Sequence, residues 1–274
     1  MNNNPLKQYF RRPAVYIKLP SNGQHYSEGS LEIPENGELP VYPMTAIDEI
    51  TGRTPDGLYN GISVIEIIKS CVPNIKNPWE INVIDLDTIL LSIRAASGNG
   101  TIDIDTSCPK CKNTATYSLE IARMLSTLKA ANYNEELEIN DLFIKFKPIK
   151  FKEVNEAAIA QFELTKSLTQ LTLVSDEAEK LKISQQALKS IVELTMDIVA
   201  KGIEYIRTPT IQVTDEVYIL DYLKNCDKTI YAKIRDHSTS LKAKSEIQPI
   251  KLVCDSCQHN YDQPITLNPS DFFD

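Results

Sequence analysis

The chain has 274 residues, of which 42% are hydrophobic and 24% charged, as expected for one large globular domain or two ordinary ones. Its net charge of −8 argues against a general nucleic-acid or anionic-membrane surface, because such surfaces carry an excess of Lys and Arg. No apolar run is long enough to cross a bilayer, and the amino terminus Met1–Lys7 lacks the apolar core of a signal peptide. The composition favours a protein of a reducing cytoplasm with a protein partner.

The first 58 residues are predicted to be extended structure broken by turns. Val15–Leu19 is a short strand that ends at the turn cluster Pro20–Gly23. Leu31–Ile33 and Leu39–Pro43 are candidate strands, and the prolines of the latter suit an edge position. Thr51–Gly57 is predicted to be an exposed loop.

Two amphipathic helices are predicted next. The first carries its apolar face from Ile62 to Cys71, and Pro73 stops it. The second opens at Asp85–Thr88, with Asp85 or Asp87 as its N-cap, and the Gly98–Gly100 segment ends it.

A pair of cysteines follows the second helix. Cys108 and Cys111 stand two residues apart at the tip between Thr101–Thr106 and Ala115–Glu120, which both alternate apolar and polar side chains. This alternation predicts a β-hairpin whose turn carries the two thiols.

The stretch from residue 121 onward is predicted to be mostly helical. A short helix covers Ile121–Leu128, and Leu137–Ile139 with Leu142–Lys147 forms a hairpin turning at Asn140-Asp141. The remaining residues, about 151–243, are predicted to form four helices. The second of them runs from near Leu181 to near Ile206, and Thr214 can cap the third.

A second cysteine pair, Cys254 and Cys257, has the same spacing and again lies between two short strand-like segments. Two matching hairpin tips can bring the thiolates of Cys108, Cys111, Cys254 and Cys257 to one point, which is the ligand set of a closed structural Zn²⁺ site. Disulfides in a secreted protein and a redox-active dithiol are the alternatives. The first lacks a signal peptide, and the second lacks a helix that opens at a cysteine.

These elements predict an α+β fold: short β-hairpins and helices with a four-cysteine zinc ribbon, plus a mostly helical insertion. The domains are residues 1–120, an amino-terminal body with the first zinc hairpin; 121–248, the insertion; and 249–274, the second zinc hairpin. Insertions at hairpin ends cost little, since loop-closure entropy rises slowly with length. The metal is therefore expected to hold the two hairpins together across the base of the insertion.

Several segments in fixed order resemble the T4-like bacteriophage baseplate protein family, the hub or hub-assembly components of contractile tails. They are Leu19–Tyr26, Val41–Glu49, Tyr59–Cys71, Ile84–Ala96 and Thr106–Cys111, and the similarity resumes at Leu142–Pro148 and Cys254–Cys257. The resemblance covers the region 151–243 least. It implies a component of the virion baseplate, or of the host cytoplasm during assembly, with other tail and baseplate proteins as partners, and it supplies no catalytic residues. The sequence also has no phosphate-binding glycine loop, nucleophile elbow or paired zincin histidines, so no enzyme is expected.

Three histidines, two aspartates and two further cysteines have simpler explanations than a catalytic or metal-binding role. His25, His237 and His259 have no metal-like or triad-like neighbours in sequence, although His259 could bond a knuckle sulfur or replace a thiol ligand. Asp85 and Asp87 could bind Mg²⁺, but helix capping explains them more simply. The two remaining cysteines, Cys71 and Cys226, fit buried free thiols on apolar helical faces.

Since zinc ribbons often bind nucleic acid, a cytoplasmic zinc-ribbon nucleic-acid-binding factor is the alternative function. Lys110 and Lys112 flank the first knuckle, but Asp103, Asp105 and Asp255 surround the same hairpins. This local charge balance opposes a phosphate-binding surface, so no nucleic acid is expected as a partner.

Overall fold

The computed structural model describes residues 4–54, 57, 61–98, 100–129, 131–170 and 176–265. In chain order the elements are β1 (Val15–Ile17), β2 (Leu39–Val41), α1 (Ala46–Gly52), α2 (Ile62–Cys71), α3 (Val83–Ala96), β3 (Thr101–Ser107), β4 (Thr114–Glu120), α4 (Ile121–Thr127), β5 (Glu136–Ile139), β6 (Leu142–Phe146), α5 (Phe151–Gln170), α6 (Glu177–Lys201), β7 (Ile203–Arg207), β8 (Gln212–Val213), α7 (Glu216–Asn225), α8 (Lys228–Ser245), β9 (Ile250–Val253) and β10 (Asn260–Gln263). Single 3₁₀ turns occupy Pro5–Tyr9 and Pro78–Glu80.

Helices and small antiparallel sheets alternate along the chain, so the predicted α+β class is confirmed. The chain divides into two units. Unit 1 comprises residues 1–78, 84–130 and 245–274, and unit 2 comprises residues 79–83 and 131–244. Across the described ranges, no helix combines the length and the apolar character that a membrane span requires.

The core of unit 1 is built largely from α2 and α3. Both predicted helices are present, and the apolar side chains from Val64 to Ile68 and from Ile89 to Ile93 are buried. Helix α2 ends at Cys71, with Val72 as its C-cap, because Pro73 cannot continue the hydrogen-bond ladder. The strands β1 and β2 pair antiparallel, with Val15 opposite Val41.

Helix α1 was not expected from the sequence, which predicted a loop from Thr51. Its first turn is held by a reciprocal cap: the Asp48 backbone N–H donates to Thr45 Oγ1, and the Thr45 N–H donates to Asp48 Oδ2 at 2.7 Å. The Arg11 guanidinium donates to Asp48 Oδ2 at 3.2 Å and to the Ser70 carbonyl at 2.8 Å. The buried Asp48 thus ties the amino-terminal segment and α2 to the start of α1.

The predicted start of the second helix is wrong by one turn. Helix α3 begins at Val83, so Asp85 lies inside its first turn and is not an N-cap. Its carboxylate is fully buried and accepts from the Ser21 backbone N–H and the Tyr26 hydroxyl, each at 2.9 Å. Gly98, at φ 102°, lies where the helix ends, as predicted, while Asn99 is outside the described residues.

Two antiparallel hairpins complete unit 1. Strands β3 and β4 pair from Thr101 opposite Glu120 to Ser107 opposite Thr114, as the alternating sequence predicts. Strands β9 and β10 pair from Asn260 opposite Val253 to Gln263 opposite Ile250. The candidate strand Leu31–Ile33 forms only an isolated bridge, between Leu31 and Ile75.

Unit 2 contains a four-stranded antiparallel sheet in the order β5-β6-β7-β8, together with α5 to α8. The predicted hairpin is confirmed, with Ile139 opposite Leu142 and Asn140 at φ 54°. The core combines the sheet and the helices; its buried members include Ile144, Phe146, Ile203, Ile219 and Ile234.

The predicted helix from near Leu181 to near Ile206 is too long at its carboxyl end. Helix α6 stops at Lys201 with Gly202 as its C-cap, and Ile203–Arg207 forms β7, which pairs with β6. The apolar residues at 203 and 206 are compatible with a helix or with a strand. The strand forms because this segment can hydrogen-bond to β6 along the edge that β5 does not occupy. Asp215, and not Thr214, caps α7.

Candidate metal centre

The first cysteine pair lies in the turn between β3 and β4. The Cys108 backbone N–H donates to the Asn113 carbonyl at 2.9 Å, and the Lys112 N–H donates back to the Cys108 carbonyl at 2.9 Å. These two bonds close a tight loop, in which Lys112 adopts a left-handed φ of 61°.

The second pair repeats this backbone geometry between β9 and β10. The Cys254 N–H donates to the His259 carbonyl at 3.0 Å, and the Gln258 N–H donates to the Cys254 carbonyl at 2.8 Å. Gln258, like Lys112 four residues after the first cysteine, is left-handed at φ 55°. The two turns are therefore structurally equivalent knuckles. The identical spacing of the two cysteine pairs in the sequence did not by itself establish this equivalence.

The knuckles bring all four predicted thiols together. Cys108 Sγ lies 3.8 Å from Cys257 Sγ, Cys111 Sγ lies 3.6 Å from Cys254 Sγ, and the four ligand atoms lie within 4.8 Å of one another. A tetrahedral metal with sulfurs about 2.3 Å away has sulfur–sulfur edges of about 3.8 Å. The two shorter separations are close to that edge, and both exceed the ~2.05 Å of a disulfide bond. These four cysteines could hold a metal ion.

Burial and hydrogen bonding differ among the four sulfurs. Cys108 and Cys254 are 1% exposed, Cys257 is half-buried and Cys111 is exposed. The Cys111 backbone N–H lowers the pKa of the Cys108 thiol to about 7. The His259 N–H acts in the same direction on Cys257, but burial and the neighbouring thiols outweigh it and raise its pKa to about 12. The pKa values of these two thiols are therefore shifted in opposite directions.

Side-chain bonds join the two hairpins beside the sulfurs. The Thr106 hydroxyl donates to Gln263 Oε1, and the Tyr117 hydroxyl donates to the Val253 carbonyl at 3.2 Å. Two strands of one hairpin thus contact two strands of the other, and both hairpins belong to unit 1. The sequence pattern did not single out Gln263, which has no motif around it.

The structure places the other candidate residues outside the cluster. The His259 ring lies against Tyr261, with centroids 6.4 Å apart, and His259 is not among the residues whose ligand atoms converge. His237 packs against Phe146 in unit 2, and burial lowers its pKa. Cys71 is buried at the end of α2, where burial raises its pKa to about 11, and Cys226 is the half-buried C-cap of α7.

The comparison with known protein families gives one match. The model of the family described as T4 bacteriophage base plate protein matches residues 56–274. The match includes both cysteine knuckles and the region 151–243, which the resemblance seen in the sequence covered least, whereas Leu19–Tyr26 and Val41–Glu49 precede it. No curated protein and no solved structure matches the chain. Since the matched residues make up most of its length, the chain belongs to the T4 bacteriophage base plate protein family.

Proposed function

We propose that this chain is a structural or assembly component of the baseplate hub of a contractile phage tail, and that it acts through contacts with other tail proteins. Membership of the base plate family carries this proposal. It implies a structural role in the phage baseplate and, through it, a location in the virion. The hub position and the absence of catalysis are the further steps that we propose.

The second part of the proposal is that Cys108, Cys111, Cys254 and Cys257 bind one Zn²⁺. The observation that carries it is the convergence of four thiol sulfurs within 4.8 Å of one another in two equivalent knuckles. Four thiolates are typical of structural zinc, and a closed set leaves no position for a substrate. The ion would stabilise unit 1 by joining hairpins that residues 112–253 separate in sequence. It would thereby complete the ribbon that we assign to residues 1–120 and 249–274.

Metal analysis of the full chain tests the zinc site. We expect one zinc per chain when the protein is purified without chelator, and its loss in Cys108→Ser and Cys254→Ser. Because a metal site contributes folding free energy, each variant should lower the free energy of unfolding by more than about 4 kcal/mol. Cys226→Ser is the matched control, since this half-buried thiol lies outside the cluster, and it should retain zinc. Protein with no bound metal would refute the site.

Mass spectrometry of purified particles beside assembly intermediates tests the hub proposal. The chain should be found with tail proteins in at least one of the two samples, and its absence from both would contradict the proposal. Salt-dependent binding of the isolated protein to DNA or RNA would favour the nucleic-acid alternative instead.

A further inference from the structure

A cleft in unit 1 lies away from the cysteine cluster. It is formed by the end of β1 with the turn that follows, by α3, and by the carboxyl end of α4, and its volume is about 610 Å³. That volume is typical of ligand-binding clefts. Its apolar walls include Ile17, Leu19, Leu125 and Leu128. Its polar lining residues are Lys18, Asn22, Thr88 and Lys129.

Thr88 of α3 lines this cleft and is only 6% exposed. Its Oγ1 is buried and has no hydrogen-bond partner in the described part of the chain. Hydroxyls inside helices commonly donate to the carbonyl four residues earlier. Ser92 of the same helix does so at 2.6 Å, but Thr88 does not. A buried hydroxyl without a partner costs free energy, which a polar group bound in the cleft would recover.

Two lysines flank the same cleft. Lys129 is exposed, and no ion pair is formed by it within the described ranges. Lys18 is 66% exposed, and its Nζ lies 4.0 Å from Glu38 Oε1, at the limit of an ion pair. Two lysines in a cleft with both apolar and polar walls, in a chain with net charge −8, favour an anionic ligand with an apolar body.

We propose that the cleft binds an extended segment of a neighbouring tail protein that carries an Asp or Glu among large apolar side chains. The carboxylate lies between Lys18 and Lys129, the apolar side chains contact the Leu125 side of the cleft, and a polar backbone group of the segment meets Thr88 Oγ1. A peptide supplies all three features at once. The choice of a protein segment over a small acid rests on the proposed function, because a baseplate component acts by contacts with other proteins.

Peptide binding to the full, zinc-loaded chain tests the proposal. The probe is unlabelled acetyl-Leu-Phe-Asp-Leu-amide, followed by isothermal titration calorimetry, and the same peptide with Asn in place of Asp is its matched partner. We expect the Asn peptide to bind at least fivefold more weakly, and Lys18→Glu or Lys129→Glu to weaken the Asp peptide to a similar degree. Lys7→Glu, a charge reversal at an exposed lysine outside the cleft, should leave binding unchanged.

Thr88→Val separates a binding role from a structural one. Because Oγ1 makes no hydrogen bond in the described structure, this near-isosteric change should not lower the Tm, yet it should weaken the Asp peptide about threefold. Equal binding of the Asp and Asn peptides, or of neither, would overturn the proposal. Phenylacetate binding as tightly as the peptide would do so too, since the ligand would then be a free apolar acid.

Measuring how much variant protein is incorporated into phage particles distinguishes the cleft proposal from the proposed hub function. Lys18→Glu/Lys129→Glu protein with unchanged zinc content and Tm should be depleted from particles or intermediates that contain the wild-type chain. Normal incorporation of the variant would overturn the cleft proposal and leave the hub role intact. Absence of the wild-type chain from both samples would overturn the hub role, while peptide binding would still decide the chemistry of the cleft.

Discussion

Glu136 of β5 is held by two side chains of β7 in the sheet of unit 2. Its carboxylate accepts from Arg207 Nη2 and from the Tyr205 hydroxyl, each at 2.7 Å. The guanidinium also lies 4.2 Å from the centre of the Phe143 ring, which belongs to β6, the strand between them. These bonds, first from Arg207 and then from Tyr205, hold the pKa of Glu136 below its ordinary value.

We predict that this lowered pKa makes unit 2 sensitive to acid. A carboxylate whose folded pKa is depressed stabilises the fold above its unfolded pKa, and that contribution is lost as the pH falls through the folded pKa. Glu136→Gln should therefore be less stable than wild type at pH 7, and the difference should shrink toward pH 3. Urea unfolding across this range measures it. Glu138→Gln, an exposed change on the same strand, is the control, and a difference that does not vary with pH would refute the prediction.

Asp85 illustrates why single residues are hard to assign from sequence. An aspartate near the start of an apolar-periodic segment is the pattern of an N-cap, and the predicted start was one turn late. The carboxylate instead bonds to Ser21 and Tyr26, which are about 60 residues away along the chain. No pattern in the sequence around Asp85 indicates such distant hydrogen-bond partners. The convergence of the four cysteines could be predicted because cysteine spacing is itself the local signal.

At the scale of elements, the two knuckles depend on one left-handed residue each. Lys112 and Gln258 have φ values of 61° and 55°, and neither is a glycine. The left-handed region costs a non-glycine residue about 1–2 kcal/mol and is worse for β-branched side chains. The surrounding hydrogen bonds maintain this conformation in both turns.

Substitutions at Gln258 should follow from this geometry. We expect Gln258→Gly to leave the free energy of unfolding unchanged or to raise it by up to about 1 kcal/mol, and Gln258→Val to lower it by about 1–2 kcal/mol. Chemical denaturation with excess zinc measures both variants. Ser256→Val is the control, because Ser256 lies in the same turn outside the left-handed region. Equal effects of the two valines would argue against a role for φ.

Helices and strands were predicted correctly where the sequence pattern fits one kind of element. They were predicted wrongly where contacts with a neighbouring element determine which kind forms. Alternation in Thr101–Ser107 and Thr114–Glu120 fits only a strand, and both strands are present. The segment Ile203–Arg207 fits a helix continuing from α6 or a new strand, and its pairing with β6 determines the outcome. The short helix α1 depends on a cap whose Asp48 is completed by Arg11 and Ser70, both distant in sequence.

At the scale of the whole molecule, the two units have separate cores, and the cysteine cluster belongs to one of them. Chelation of the Zn²⁺ that we propose for this cluster should therefore act on unit 1. We expect the amides of β3, β4, β9 and β10 to exchange faster after chelation, about tenfold for each 1.4 kcal/mol of local stability lost. The amides of β5, β6 and β7 should keep their protection.

Hydrogen exchange with mass spectrometry distinguishes these regions directly. The same chelator added to Cys108→Ser protein is the control, and it should cause no further change. A uniform rise in exchange across both units would contradict the separation of their stabilities.

The distance along the chain between the two knuckles has a consequence for biosynthesis. Residues 131–244 of unit 2 are all translated after Cys111 and before Cys254. At roughly 5–20 residues per second, the ribosome needs about 7–30 s to proceed from the first knuckle to the end of the second. Residues 131–244 of unit 2 are synthesised during that interval, while a nascent unit 1 carries two thiols without their partners. Capture of the proposed Zn²⁺ would thus be one of the last folding events of unit 1, and zinc supply to the infected cell would then limit the yield of finished protein.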